Sequence, residues 1–403
     1  MKKKGIARRN FLKYGSAIAA GSIISTPMIA AIGKEEESKE KKWKYIYRKL
    51  GNTGMELPVV SMGVMRSDAP EVVQAALKAG IKHFDTAAMY SNGKNEEMLG
   101  KVFKEVPRDS FTIATKMNPG RTNAYDRRRG ALNDNFEDEF FKSVNGSLER
   151  LQMDYVDILY MHAIEHAEVA FDPRVLKVMK QMKDEGKARH LAISTHNAKD
   201  ILKAIDEKGF YEVVLISISA EQRDDKEYFD LIKKVSDKGV GIVAMKSMMG
   251  GFLDKEKTKK VNGKAALKWV MQKDYIHTSI PGMKSFEELE QNISIMENLE
   301  LDDQEKKDLE MAIAEANLSC KGCTECYSQC KKGLQVPDLM RSYMYAYGYG
   351  ETLKAQDQFN ANKANEMCES CDSCTVDCPK NYNIAERIND IARISDIPGE
   401  FLT

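Results

Sequence analysis

The sequence predicts an α/β protein in which a parallel sheet clad in helices precedes a small cysteine-rich segment. Two observations lead there. Between Val59 and Asn317, eight apolar, β-rich runs alternate with amphipathic helical segments. All eight cysteines fall after that region, in two runs of identical spacing. The alternation favours a closed parallel barrel and leaves an open sheet as the other solution. The chain has 403 residues, long for one domain, and 42% are apolar, enough for a sizeable core. Lys and Arg number 61, as do Asp and Glu, so net charge gives no electrostatic case for a nucleic-acid partner.

Residues 1–33 read as a targeting segment. Lys2, Lys3, Lys4, Arg8 and Arg9 form a basic head, Tyr14 to Gly33 is mildly apolar, and Ala31-Ile32-Gly33 offers a small-residue cleavage site. Arg8-Arg9-Asn10-Phe11-Leu12-Lys13 resembles the twin-arginine export motif. An ordinary secretory signal and an uncleaved anchor are the other readings. The twin-arginine resemblance implies export after folding, to the periplasm or cell surface. Residues 34–44 are charged and aperiodic, as a linker is. The barrel is assigned to 45–318 and the cysteine domain to 319–403.

The β-rich runs are Val59–Met65, Ile81–Asp85, Phe111–Lys116, Tyr155–His162, Arg189–Ser194, Val213–Ser219, Gly241–Lys246 and His277–Pro281. Helical periodicity marks Phe140–Leu151, Arg174–Asp184, Lys226–Ser236 and Lys264–Gln272. None of these helical segments is long and uncharged enough to span a lipid bilayer. Gly51-Asn52-Thr53-Gly54 marks a turn between short strands. Arg121 to Asn135, which includes Arg127-Arg128-Arg129, reads as a long charged loop, either a lid over substrate or a solvated loop.

Polar residues stand at three successive strand ends. Asp85 closes the second run, with Tyr90 in the loop after it; Lys116 closes the third and His162 the fourth. The carboxyl ends of barrel strands carry the chemistry, the opposite ends the stability. In this order the four residues resemble the tetrad of the aldo-keto reductases. The resemblance covers about two-thirds of the chain and implies a (β/α)8 TIM barrel whose bottom is closed by the 51–54 hairpin. It also implies interconversion of a small carbonyl compound and its alcohol with NAD(P). Tyr90 is then the general acid, Lys116 the cation that lowers its pKa from about 10, Asp85 the anchor of Lys116, and His162 the group that orients the carbonyl. His166, four residues further, is expected to be solvated or in the core.

The same resemblance implies a nicotinamide site around Ser194 and Asn197 after the fifth strand, Lys246 after the seventh, and Gly282, Lys284, Glu288 and Asn292 after the eighth. Many NADP-using relatives carry Arg where Glu288 stands. A carboxylate repels a 2′-phosphate and accepts from a ribose hydroxyl, which leans toward NAD, while Lys284 offsets it and keeps the preference open. The aromatic residue that usually stacks on nicotinamide is absent from the 245–246 strand end.

Cys320, Cys323, Cys326 and Cys330 have the spacing C-x2-C-x2-C-x3-C, and Cys368, Cys371, Cys374 and Cys378 repeat it before Pro379. This is the bacterial ferredoxin pattern, in which the last cysteine of each run ligates the other cluster. It predicts one [4Fe–4S] cluster on Cys320, Cys323, Cys326 and Cys378, and another on Cys368, Cys371, Cys374 and Cys330. Zinc and disulfides are the competing readings, and paired C-x2-C zinc spacing fits less well. Lys331 stands where a proline is usual, and a Tyr-rich stretch, Arg341 to Gly350, separates the runs and is expected to pack this domain onto the barrel. The whole resembles the aldo-keto reductases with a ferredoxin-type tail.

A hydride carries two electrons and a cluster passes one. Three functions follow: a nicotinamide oxidoreductase whose clusters are structural or serve a redox partner protein; an electron-transfer enzyme with a bound cofactor; or a barrel used as a scaffold.

Overall fold

A hairpin opens the described part of the chain. In this computed structural model, which describes residues 44–118, 125–126, 131–314, 318–323, 325–362, 368, 371 and 373–402, strands β1 (Tyr47–Lys49) and β2 (Glu56–Pro58) pair antiparallel. Residues 1–33, expected to direct export, most of the expected linker and Arg127 to Arg129 lie outside the described residues. Gly51 sits at φ +51°, and a Cβ there would come within 2.5 Å of the Gly241 nitrogen, so the turn is built for glycine.

The main sheet contains β3 (Met62–Gly63), β4 (His83–Asp85) and β5 (Thr112–Met117). After a short hairpin of β6 (Tyr125–Asp126) and β7 (Ala131–Leu132) it continues with β8 (Val156–Met161), β9 (Ala188–Thr195), β10 (Val213–Ser217), β11 (Gly241–Met245) and β12 (Thr278–Ser279). Their order is β12-β11-β10-β9-β8-β5-β4-β3, all parallel. Parallel bridges Val60–Ser279 and Gly63–Gly282 join the two ends into a ring. The helices between the strands include Pro70–Lys78, Lys94–Phe103, Phe136–Leu151, Pro173–Asp184 and Lys226–Asp237. No described helix is long and apolar enough to cross a membrane.

Side chains alternate along a strand with period two, so one parity points inward. Ala114, Ile158, Tyr160, Ala192, Val213, Leu215 and Val243 form the barrel interior, and Leu50 and Leu57 of the hairpin pack into it from one end. Both leucines are at most 1% exposed, and burying each contributes about 1.5–3 kcal/mol. The same parity carries Lys116, His162, Ser194 and Met245 into the interior near the other end. The register that fills the core therefore also fills the rim with chemistry.

The cysteine-bearing part is built from helices Val336–Tyr343, Thr352–Ala361 and Ile384–Ala392, with a π-helical stretch, Met344–Tyr349, continuing the first. Leu334, Leu339, Phe359, Tyr382, Ile388 and Ile391 are among its core residues, and Cys320, Cys326, Cys330, Cys368 and Cys378 pack against them. Close approach fixes this part to the barrel: a Cβ on Gly348 would lie 2.7 Å from the Gly250 carbonyl oxygen. Gln222 of the barrel donates to the Lys321 carbonyl (3.2 Å), and within the cysteine-bearing part Tyr382 donates from its hydroxyl to the Ser319 carbonyl (2.6 Å).

Three sequence expectations change in detail. The first and last barrel runs, expected over Val59–Met65 and His277–Pro281, shrink to two residues each, because their remaining contacts are single bridges at the seam. The helix expected from Phe140 begins at Phe136. The stretch expected to be a loop from Arg121 to Asn135 contains the β6–β7 pair, Tyr125–Leu132 and Asp126–Ala131.

Candidate active site

Asp85 is the last residue of β4, and Lys116 projects from the adjacent strand β5 to form an ion pair with it. The Lys116 ammonium also donates to the Thr86 carbonyl (2.7 Å) and stands 3.4 Å from the Tyr90 hydroxyl. His162 follows β8, its N–H donating to the Met117 carbonyl (2.8 Å), and its ring meets that of Tyr90 edge-to-face at 6.0 Å. The four side chains drawn from three strand ends thus line one cavity.

The loop that presents Tyr90 is held from beneath. Ser91 and Asn92 turn through positive φ (48° and 54°) into helix Lys94–Phe103. Thr86 donates to the Asn95 side chain (2.7 Å), which donates to the Val64 and Ser67 carbonyls (2.8 and 2.9 Å). Glu96, fully buried, accepts from Thr115 and pairs with Arg150 (2.7 Å). Asn95 and Glu96 tie the second and third strand ends to one helix. Sequence reading did not single them out, since polar residues at a helix start are ordinarily solvated.

The electrostatics correct one expectation. Burial, reinforced by the Asp85 carboxylate, pushes the Tyr90 hydroxyl above the ordinary tyrosine value instead of lowering it beside Lys116. Burial likewise raises Asp85 and lowers Lys116, each countered by the charge of the other. Tyr90 is therefore held as a neutral O–H donor, the form a proton donor needs.

The cavity measures about 220 Å³. Of the residues assigned to a nicotinamide site, Ser194, Lys246, Gly282 and Glu288 line it, whereas Asn197, Lys284 and Asn292 do not. Ser194 accepts from the Ala163 N–H (2.9 Å). Asn197 is spent on the Glu165 carbonyl (2.9 Å) and Asp200 (2.8 Å). Lys284 is exposed, and its backbone N–H donates to Glu288 (2.8 Å), which also faces Arg66 at 4.0 Å. Lys246 sits at φ +59°, a strained backbone of the kind found at functional sites. Its ammonium, and both polar side-chain atoms of Asn292, are buried without a hydrogen-bond partner among the described residues. The Lys246 ammonium, left without an acceptor on the cavity-lining end of β11, suits an anionic group such as a coenzyme phosphate, whereas Asn292 is buried on helix Phe286–Ile293 away from the cavity. His166 does not line the cavity, whereas His196 does, with its Nδ1 3.1 Å from Glu165. Burial and the charges of Arg341 and Lys246 hold His196 well below the usual imidazole range.

The C-terminal part supplies one wall of this cavity, through Arg341, Tyr345, Tyr349 and Lys354 among others. The aromatic surface missing from the 245–246 strand end is thus present, brought by Tyr345, whose ring lies 5.5 Å from the Lys246 ammonium. No local signal reveals this, because these residues lie a hundred positions from the strand end they meet.

The eight cysteines are unbridged and sort into two further cavities. Cys320, Cys323, Cys326 and Cys378 line one; Cys330, Cys368, Cys371 and Cys374 line the other. Among the described residues no three His, Cys, Asp or Glu side chains converge closely enough to ligate a single ion; the sulfurs surround cavities instead. Burial pushes the Cys326 thiol up to about 12 and that of Cys368 to about 11. Thiolates at such sites need a bound cationic centre, and four sulfurs around each cavity suit an iron–sulfur core.

Comparison with known proteins matches residues 49–265 to the aldo/keto reductase family and residues 319–383 to a 4Fe-4S dicluster domain. L-galactose dehydrogenase of Arabidopsis thaliana is 29% identical over 63% of this chain and 88% of its own length. Methylglyoxal reductase DkgA of Escherichia coli O157:H7 is 32% identical over 40% of this chain and 54% of its own. The holo form of aldo-keto reductase AKR11C1 from Bacillus halodurans superimposes with a TM-score of 0.53 at 22% identity, over 66% of this chain and 96% of that one, which is a likeness of fold. The chain belongs to the aldo/keto reductase family, an oxidoreductase barrel extended by a C-terminal 4Fe-4S dicluster domain.

Proposed function

We propose that the protein interconverts a small carbonyl compound and its alcohol with a nicotinamide coenzyme, and that its eight cysteines hold two [4Fe–4S] clusters in the crossed pairing of the two cavities. The observation that carries the enzymatic reading is the meeting of Tyr90, Lys116 and His162 on one cavity wall, with the Lys116 ammonium 3.4 Å from the Tyr90 hydroxyl. The coenzyme supplies or accepts the hydride. Tyr90 gives its proton to the carbonyl oxygen, Lys116 stabilises the phenolate left behind, Asp85 holds Lys116, and His162 fixes the carbonyl by a hydrogen bond. Lys246, Ser194, Gly282 and Glu288 border the coenzyme, and the carboxylate of Glu288 favours NAD. The basic leader and its Arg8-Arg9 pair support export by the twin-arginine route.

The test is anaerobic purification followed by assay of iron, sulfide and bound coenzyme, then titration with NADH and NADPH before a panel of small aldehydes and ketones. Coenzyme oxidation that requires both carbonyl and Tyr90 supports the reading; oxidation at the same rate in Tyr90→Phe sinks it. A second reading, electron passage between barrel and clusters, is favoured by the seating of Gly322 near the His196 carbonyl and of Lys321 on Gln222. Bleaching of cluster absorbance by the reduced coenzyme alone would select it.

A further inference from the structure

Two residues outside the cavity brace both its proton donor and its cation. Glu96, on helix Lys94–Phe103, is fully buried, and Arg150 lies in the last turn of helix Phe136–Leu151. Neither borders the cavity. Glu96 divides its carboxylate between two elements. Its Oε2 accepts from Arg150 Nε (2.8 Å) and Nη2 (2.7 Å), and its Oε1 accepts from the Thr115 hydroxyl (2.5 Å). Arg150 Nη2 also donates to the Ser147 hydroxyl (3.2 Å), which ties the guanidinium to its own helix. Thr115 precedes Lys116 on β5, and its side chain leaves the opposite face of the strand. Burial lowers the Lys116 pKa, and Glu96 joins Asp85 in opposing that shift.

The other end of the pair reaches the turn that presents Tyr90. Three successive residues behind that tyrosine, Ser91, Asn92 and Gly93, adopt positive φ (48°, 54° and 89°). The Arg150 stem lies directly beneath the third, since a Cβ on Gly93 would come 2.8 Å from Arg150 Cδ. A run of left-handed residues persists where its surroundings over-determine it, and Arg150 supplies part of that constraint. Burying an ion pair adds little net stability, because desolvation offsets the attraction, so stability alone does not account for this one. What it fixes is geometry, at both ends of the 3.4 Å approach between the Lys116 ammonium and the Tyr90 hydroxyl.

Resting on the carbonyl-reductase reading, we propose that the Arg150–Glu96 pair is the positioning device of the proton-transfer step, setting from outside the cavity where the Tyr90 hydroxyl stands relative to the Lys116 ammonium. Arg150 acts through the turn behind Tyr90, and Glu96 through the strand that carries Lys116. The donor and the cation that stabilises its phenolate must stay aligned as the proton leaves, and a misplacement of about 1 Å costs on the order of 10²-fold in rate.

Four holoproteins matched for iron content form a cycle: wild type, Arg150→Met, Tyr90→Phe and the double variant. Stopped-flow oxidation of NADH is followed with the small aldehyde of the panel that the wild type reduces fastest. Arg150→Met is expected to slow hydride transfer at saturation by at least about tenfold, with the aldehyde KM and the NADH affinity held within about twofold. On the Tyr90→Phe background the same substitution should cost less than about threefold, because the donor it positions is gone. Equal losses on both backgrounds overturn the proposal, since they report general weakening of the fold. So does an unchanged rate in Arg150→Met, or a loss of NADH affinity as large as the loss of rate. Should Arg150→Met fail to fold, Thr115→Val cuts the other end of the pair with a side chain of nearly the same shape, and is read in the same cycle by the same criteria. A Tyr90→Phe variant as fast as the wild type, or a wild type that reduces no aldehyde, removes the reductase reading and this proposal with it. A slow Tyr90→Phe beside a fast Arg150→Met removes the proposal alone.

Discussion

Lys380, two residues beyond Cys378, forms an ion pair with Glu221 just past β10, and both side chains are largely buried at 13% and 3% exposure. The lysine also donates to the Ser319 carbonyl (3.1 Å), one residue before Cys320. One ammonium thus clasps the first and last members of one cysteine set to the barrel rim. Removing one partner of a buried pair leaves the other charged and desolvated, at a cost of about 3 kcal/mol. Glu221→Gln is expected to lower the unfolding free energy of the holoprotein by about that much and to speed iron release to a chelator. A loss under about 1 kcal/mol, the value of an exposed pair, would show that the clasp holds nothing.

Tyr90→Phe keeps the ring, its contact with His162 and the cover of Lys354, whose Nζ lies 4.8 Å from the ring centre, and removes only the hydroxyl. General acid catalysis contributes about 10²- to 10⁴-fold, so kcat for carbonyl reduction should fall by that range while iron content and thermal unfolding stay as in the wild type. Stopped-flow measurement of hydride transfer checks it, and a loss under tenfold would place the proton donor elsewhere.

His83 and His277 set an acid limit. Burial lowers His83 to about 3 and His277 to about 4, and His277 Nδ1 accepts from the Ile242 N–H (2.8 Å), which requires that nitrogen unprotonated. For a lowered pKa the stability is present above the unfolded value of about 6.5 and is lost as pH falls through the folded value. Each histidine should remove on the order of 2 kcal/mol between pH 7 and pH 5. Denaturant titrations at those two values measure the slope. His277→Asn, which can keep an acceptor toward Ile242, should flatten it, and an unchanged slope would exclude His277 as the source.

Much of this architecture was legible because barrel order is written in local periodicity. A strand end is a local event, so Asp85, Tyr90, Lys116 and His162 could be read as a rim set. The two cysteine runs were equally plain, their spacing being chemistry with few alternatives. Asn197 and Lys284 misled because position after a strand does not say which way a side chain turns: Asn197 is drawn to Glu165 and Asp200, and Lys284 points to solvent. The effect on Tyr90 was misjudged for a related reason, since proximity to Lys116 suggests acidity while burial, invisible in sequence, outweighs it. The wall formed by Tyr345 and Lys354 was out of reach altogether. A Tyr-rich helix announces packing, not its partner, and the partner lies across the domain boundary.

The carboxylate of Glu288 bears on coenzyme choice. It lines the cavity, accepts from the Lys284 N–H and lies 4.0 Å from Arg66. Glu288→Arg replaces a repulsive charge with an attractive one for a 2′-phosphate, and should shift the ratio of NADPH to NADH affinity upward by about tenfold, or 1.4 kcal/mol. Fluorescence titration of both coenzymes reads the ratio; an unchanged ratio would remove Glu288 from the discrimination.

The two sulfur-lined cavities make a prediction about pairs of cysteines. Cys320 and Cys378 border one cavity although 58 positions apart, while Cys320 and Cys330, ten apart, border different ones. If each cavity holds one cluster, substituting either Cys320 or Cys378 by Ser should remove about half the iron, and substituting both should remove no more. Combining Cys320→Ser with Cys330→Ser should instead strip both clusters. Serine is close in size to cysteine and a poor ligand for iron, so packing against Leu339 and Tyr382 is little disturbed and the iron count reports ligation. Pairing along the sequence gives the opposite pattern: there the double substitution of Cys320 and Cys330 would spare one cluster and that of Cys320 and Cys378 would spare none. Iron and acid-labile sulfide assays on the four variants decide between the two.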